Sequence, residues 1–441
     1  MRSLLILALV AACSPEAALS LEVAPQGKFA SAPTEQLQGD VVLIMLDDIA
    51  RSDLELISTP NLDALAAQGT KFTRAYAMPA CANTRLTLHR GRWDPFFFSG
   101  TCRFPPDSTN PIAAPVLDPD EYITMPDIMK AGGYSTGLFG KWHTGISPNG
   151  WLVTPLENGY DTWRAGGPAH LGMGLGPRCN SNGYENWQRI DDGIESVETL
   201  YATIAQTDAA INWNPAQRGP RFVYQNYFSP HTPLHNPPAY ALPPGYPPAQ
   251  TPREQFEAMV VSIDIEIGRL VESLPKESWI FVAADNGTFS GNAQPGVDPF
   301  KGKATTFENG INVPLIVRGP GVAKGEVCEE LVSIVDIYAT LAEIAEQPVP
   351  GSADDSISMM PLLLDPDSGP IRDLVYVGFR RGDDSDWDEA VLNKTHKFRR
   401  QDGPGGYEEL YDLVNNPEET HPIEDESIAG PMRLYMDTVL N

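Results

Sequence analysis

The sequence predicts an α/β fold, a mixed sheet sandwiched by helices, followed by a smaller α+β domain. Short β-branched runs end abruptly in polar residues, as Val41 to Leu46 does at Asp47 and Asp48. Helical patterns, notably Thr199 to Asn212 and Arg253 to Ser273, lie between such runs. From about Pro366 the pattern changes to short strands and one late helix. A chain of 441 residues exceeds what one core usually serves, so we expect a main site-bearing domain at 40–365 and a C-terminal α+β subdomain at 366–441.

Taken in order, Met1 to Ala12 gives basic Arg2 and then the apolar stretch Leu4 to Ala12, too short to span a bilayer and read as an export signal. Val10-Ala11-Ala12-Cys13 resembles a bacterial lipobox, which makes Cys13 a lipidation site and residues 13–39 a tether. The expected location is therefore the periplasm or outer surface, with the membrane touched only through the lipid. Thr59-Pro60 caps a helix whose Leu62, Leu65 and Ala66 share a face and which Gly69 ends. Extended runs follow at Lys71 to Tyr76, Tyr134 to Phe139, Arg221 to Tyr227, Trp279 to Ala284 and Val313 to Val317, then at Leu374 to Phe379 and Ala390 to Leu392. Of the remaining cysteines Cys102, Cys179 and Cys328, the first two lie in the same loop-rich third and form the better disulfide pair. A net charge of −27 excludes a general nucleic-acid binder, which needs a basic face.

An acidic pair at a strand end is by itself an ordinary cap. Here a second buried run, Ile280 to Ala284, also stops at oxygen ligands, Asp285 and Asn286. Parallel strands ending side by side would collect three carboxylates and an amide, which calls for a hard cation, Ca2+ or Mg2+. No Cys or His spacing suggests structural zinc. Cys81 opens a stretch able to form a helix, whose free N–H groups favour an anion, and Arg85 falls on the same face one turn later. Gly140-Lys141-Trp142-His143 puts a cation and an imidazole within reach of one site, Pro230-His231 holds a second imidazole in a Pro-restricted loop, and Lys303 supplies another cation. Trp151, Trp163, His170 and Arg178 occupy a loop-rich section able to line sugar subsites, although loop aromatics more often simply pack.

In combination these segments resemble the type I, formylglycine-dependent sulfatases of the alkaline phosphatase superfamily. The resemblance rests on Leu43 to Asp48, Thr59 to Asp63, Gly133 to Thr136 with Gly140 to His143, Pro230-His231, Ala284 to Gly287, Lys303 and Glu409 to Leu413, all in the family's order. It implies that a formylglycine-generating maturation enzyme oxidises Cys81, and that Cys81, Asp47, Asp48, Asp285 and Asn286 ligate the metal. It further implies that the hydrated aldehyde attacks sulfur. His231 with Lys303 then protonates the departing alkoxide, His143 takes the proton that lets sulfate leave, and Arg85 and Lys141 hold the oxyanions. The substrate implied is a sulfated glycan or a small aryl or alkyl sulfate. Asn83 stands where the family has Pro or Ala, His89 where an apolar residue is usual, and Asn312 where Arg is common. Two rival readings use the same residues: a phosphodiesterase or phosphonate monoester hydrolase, and, if residue 81 stays a thiol, a non-catalytic lipoprotein that binds sulfated glycans. Single-metal ligation and the Lys-Trp-His signature favour sulfate.

Overall fold

The computed structural model describes residues 39–93, 96–97, 117, 122–145, 152–167, 171, 183–215, 219–294, 296–381, 387–401 and 406–439. The export signal, Cys13, almost all of the tether, the Cys102–Cys179 pair, Trp151, His170 and Arg178 lie outside the described residues. Among those described, Cys81 and Cys328 are free thiols, and no helix is long and apolar enough to cross a membrane.

A ten-stranded mixed sheet forms the centre of the molecule. Its middle is parallel and runs, in spatial order, Trp279–Ala284, Val41–Leu46, Arg221–Asn226, Ser135–Lys141 and Thr162–Gly167. The run Val-Val-Leu-Ile-Met-Leu sits at the sheet's centre because it has no polar face to offer water, and all six residues are essentially unexposed. Each such side chain contributes roughly 1.5–3 kcal/mol of burial free energy. Helices Pro60–Ala66, Ala202–Ile211 and Pro252–Ser273 pack against one another and against the sheet. The last begins with the capping box Thr251-Glu254 and a first-turn Pro252, which satisfy its free N–H groups.

On one side Leu315–Arg318 and Thr70–Phe72 extend the sheet antiparallel, and Glu326–Cys328 closes it. The last apolar run starts two residues later than expected, because Pro314 cannot donate to the ladder. The run Lys71 to Tyr76 is split: Thr70–Phe72 joins the main sheet and Ala75–Tyr76 pairs with Val332–Ser333. On the other side the hairpin Trp187–Asp191 and Ile194–Glu198 adds two strands that the sequence pattern did not announce. Its outer strand is exposed along most of its length and therefore carries no apolar run.

The C-terminal region forms its own antiparallel sheet, Val375–Arg381, Trp387–Leu392, His396–Gln401 and Tyr407–Asp412, with Phe96–Phe97 alongside the first. Helix Glu426–Val439 covers it through Ala429, Met432 and Met436, giving a second hydrophobic core.

Candidate active site

Register decides which side chains meet. Leu46 lies beside Ala284 and Met45 beside Asn226, while Gly140 flanks Asn226 on its other side. The residues that end these strands, Asp47, Asp285, Asn226 and Lys141, therefore converge at one edge, the carboxyl end where parallel sheets place their sites. Asp48 turns off the strand with φ 64°, a left-handed conformation that Asp tolerates better than most residues. That turn lets its Oδ1 accept from Asn286 Nδ2 at 2.8 Å.

Cys81 is the first residue of the helix Cys81–Arg90, as its position before a helical stretch led us to expect. Thr84 pins this turn to the sheet, its hydroxyl donating to Asp285 O and lying 3.2 Å from Met78 O. Arg85, fully buried, donates from Nε and Nη2 to Asp285 Oδ2 at 3.0 and 2.5 Å, and from Nη1 to Asn226 Oδ1. Lys141 Nζ donates to Asp47 Oδ2 at 2.6 Å, and Lys303 Nζ pairs with Asp48 Oδ1 at 2.5 Å. Around the Cys81 thiol stand His143, with Nδ1 at 3.2 Å, and Lys303, with Nζ at 3.7 Å. His231 Nε2 lies 3.7 Å from Asp48 Oδ2, and its Nδ1 donates to Thr232 O at 2.8 Å, which leaves Nε2 facing the site. All ten residues singled out in the sequence for catalysis or metal binding beyond the lipidation site are thus brought together.

Charge repulsion among the carboxylates is not what calls for a cation. The three carboxylates do not face one another unneutralised, because each has its own cation: Lys141 on Asp47, Lys303 on Asp48 and Arg85 on Asp285. What points to a metal is the set of acceptors left over. Asp47 Oδ1 and Asn286 Oδ1 are buried and accept no hydrogen bond among the described residues, a costly state for a carboxylate in particular. Ligand atoms of Asp47, Asp48 and His231, and of Asp47, Cys81 and Asp285, lie within 4.8 Å of one another in each group. Oxygen donors of this kind fit a hard divalent cation.

Burial sets the titration of the site. It pushes His143 well below the ordinary imidazole value, and Lys141, Arg85 and Lys303 push it further the same way. It also lowers His231, with Asp48 and Asp47 opposing. Burial raises the Cys81 thiol against the pull of Lys141 and Lys303. For Asp48, burial acts upward, but Lys303 and then His231 outweigh it and hold the carboxyl below its usual value. Lys303 loses to burial, but Asp48, Cys81, Asp47 and Asp285 together more than restore it, so its ammonium is held charged.

Asn226 was missed by sequence reasoning, yet it joins Arg85 to the backbone of Lys141 through its Nδ2 and Lys141 O. The signal was present: an apolar run, Phe222-Val223-Tyr224, followed by the polar pair Gln225-Asn226. Trp163 is no subsite residue; it is fully buried and donates to Gly140 O at 2.9 Å. His89 fits its helix by turning one ring nitrogen to Arg85 O at 2.7 Å and the other to Tyr160 OH at 3.0 Å. Asn312 accepts from Arg51 Nε at 3.2 Å and donates to Glu308 at 2.9 Å.

Residues 39–347 match the sulfatase family model, and residues 299–440 match the model of the C-terminal region of N-sulphoglucosamine sulphohydrolase. The chain is 29% identical over 354 residues to human N-acetylgalactosamine-6-sulfatase, covering 74% of this chain and 66% of that protein. It is 28% identical over 372 residues to human arylsulfatase A, covering 76% and 70% of the two chains. It therefore spans about two thirds of the length of the first of these relatives. Among solved structures, Ps i-CgsB in complex with k-i-k-neocarrahexaose shares the fold with a TM-score of 0.75 at 24% identity, over 91% of this chain and 92% of that one. The PsFucS1 sulfatase from Pseudoalteromonas sp. gives 0.70 at 20% identity, over 91% and 90%. With the sulfatase family model matched along residues 39–347, about 70% of the chain, the chain belongs to the sulfatase family.

Proposed function

We propose that this protein hydrolyses a sulfate ester, with residue 81 as nucleophile. The observation that carries the proposal is the position of the Cys81 side chain, 3.2 Å from His143 and 3.7 Å from Lys303, at the start of a helix above the carboxylates. When present, a divalent cation held by Asp47, Asp48, Asp285 and Asn286, calcium or magnesium, would supply charge stabilisation, and formylglycine made from Cys81 by a maturation enzyme would supply a hydrated aldehyde as nucleophile.

The chain's own residues account for the remaining requirements. Arg85 and Lys141 lock Asp285 and Asp47 in place and concentrate positive charge beneath the anion, in a protein whose net charge is −27. His143, held neutral by burial and by neighbouring cations, is suited to take a proton from residue 81. His231, beside Asp48, gives up a proton readily once charged, and Lys303, paired with the same Asp48, keeps its charge to meet the departing oxygen.

The substrate class proposed is a sulfated sugar. N-acetylgalactosamine-6-sulfatase is similar to this chain along 74% of it, and a protein solved with its substrate D-glucosamine-2-N,6-O-disulfate shares the fold with a TM-score of 0.67. The export signal and Cys13 support a lipid-anchored protein outside the cytoplasm. Turnover of nitrophenyl sulfate and nitrophenyl phosphate by the purified chain and by Cys81→Ala tests the reading. We expect hydrolysis of the sulfate, preferred over the phosphate and lost in the variant. Preference for phosphate would mark a phosphohydrolase, and binding of sulfated glycan without turnover a non-catalytic receptor.

A further inference from the structure

Lys303 is placed by a segment that the C-terminal sheet grips at Thr306. The grip is complete: every hydrogen-bonding group of Thr306 is taken. Its N–H donates to Asp388 Oδ2 at 3.1 Å and its hydroxyl to Asp388 Oδ1 at 2.5 Å. The hydroxyl accepts from Arg399 Nε at 2.9 Å, and the carbonyl accepts from Lys397 Nζ at 3.0 Å. Asp388 lies on the strand Trp387–Leu392, and Lys397 and Arg399 lie on the neighbouring strand His396–Gln401.

These partners are themselves fixed. Arg399 Nη2 is 3.0 Å from both oxygens of Asp388, and Nη1 donates to Glu409 at 2.6 Å. Lys397, fully buried, is paired at 2.8 Å with both Glu308 and Glu419. The next residue is clasped too, with the Arg399 guanidinium 3.9 Å and Lys301 Nζ 4.6 Å from the centre of the Phe307 ring. Behind the site the segment has few other holds: Ala304 N–H donates to Pro79 O at 2.8 Å and Lys303 N–H to Thr288 O at 2.9 Å. Ala304 is also left-handed, with φ 67°, a conformation that an alanine keeps only when its surroundings impose it.

We propose that Asp388 and Arg399 are positioning residues for Lys303, acting through Thr306, so that the C-terminal sheet is a working part of the active site. The inference rests on the sulfatase reading for its kinetic consequence, though not for its physical content. Burying so many charges for stability alone is inefficient, since apolar residues of similar volume would serve as well. Their shared target, three residues from the ammonium that approaches both Asp48 and Cys81, supplies a reason for them.

The test compares Asp388→Asn and Thr306→Val with the unaltered chain in two measurements. In hydrogen exchange of the folded protein, peptides covering 303–308 should exchange at least tenfold faster in the variants, while peptides from the helix Cys81–Arg90 stay protected. In kinetics, kcat/KM for an alkyl sulfate should fall about tenfold more than for nitrophenyl sulfate, because only the poor leaving group needs the charged ammonium of Lys303 beside its developing negative charge. Lys303→Ala should show the same bias, and Thr306→Ser, which keeps the hydroxyl, should restore the ratio lost in Thr306→Val. The ratio is independent of how much enzyme is folded or matured, so a loss of folding cannot imitate the result. Unchanged exchange at 303–308, or equal loss on both esters where Lys303→Ala is selective, would overturn the proposal. A chain that hydrolyses neither ester would instead refute the sulfatase reading and leave the exchange measurement to decide the grip.

Discussion

Asp285 ties the helix that begins at Cys81 to the sheet. It takes two guanidinium donors from Arg85 and one backbone donor from Asp48, while its own carbonyl anchors Thr84. Asp285→Ala should therefore destabilise the fold by roughly 3 kcal/mol, because the buried Arg85 would lose its main partner and keep only Asp47, 3.8 Å away. The same variant should lose the rise in melting temperature that added calcium or magnesium gives the unaltered chain. Thermal melts with and without the cation check both. His231 and His143 should fail differently. His231→Ala should slow alkyl sulfates far more than nitrophenyl sulfate, whereas His143→Ala should accumulate a sulfated residue 81, visible by mass. Equal slowing of both esters by His231→Ala would remove its role as acid.

His89 gives a pH-dependent contribution with a definite sign. Burial first, and Arg85 as well, lower its pKa to about 4 from the ordinary 6.5, against an opposing hydrogen bond to Arg85 O. The folded protein thus keeps His89 neutral where the unfolded chain would bind a proton. Stability is fully present above about 6.5 and is lost as pH falls toward about 4, by up to about 3 kcal/mol. Urea unfolding between pH 7 and 4.5 should show a smaller loss for His89→Leu than for the unaltered chain; an equal loss would mean that other groups cause it.

At the scale of elements, the helix Cys81–Arg90 bears on maturation of Cys81. Asn83 lies in the first turn of this helix, the part of a helix that tolerates proline. Proline at position 83 would thus be compatible with the folded helix and would restrict the unfolded segment to the extended form that a maturation enzyme must bind. Asn83→Pro should raise the formylglycine fraction and specific activity together in a general expression host. Complete conversion of the unaltered chain there would refute this. The elements most legible in the sequence were those whose burial leaves no freedom: Val41–Leu46 and Trp279–Ala284 end where the apolar runs end. The hairpin Trp187–Glu198 was illegible because an exposed edge needs no apolar pattern. The site residues could be read because oxygen ligands and cations follow buried strands abruptly. Their pairing could not, since Lys141 on Asp47 and Lys303 on Asp48 are set by register and by a left-handed turn.

For the molecule as a whole, two cores meet at a site to which both contribute. The parallel sheet presents Asp47, Asp48, Asp285 and Lys141, and the C-terminal sheet holds the segment that carries Lys303. A net charge of −27 would repel an anionic ester, and the site answers it with Arg85, Lys141 and Lys303, all in or beside the acidic cluster. On the proposed function, residue 81 is the nucleophile of a sulfate ester hydrolase and its thiol is only a precursor. Mass spectrometry of the peptide carrying residue 81, taken from protein of measured activity, tests it most directly. An aldehyde should replace the thiol, with its sulfur and two hydrogens lost and an oxygen gained, in proportion to specific activity; an unmodified thiol throughout a fully active preparation would overturn the nucleophile assignment.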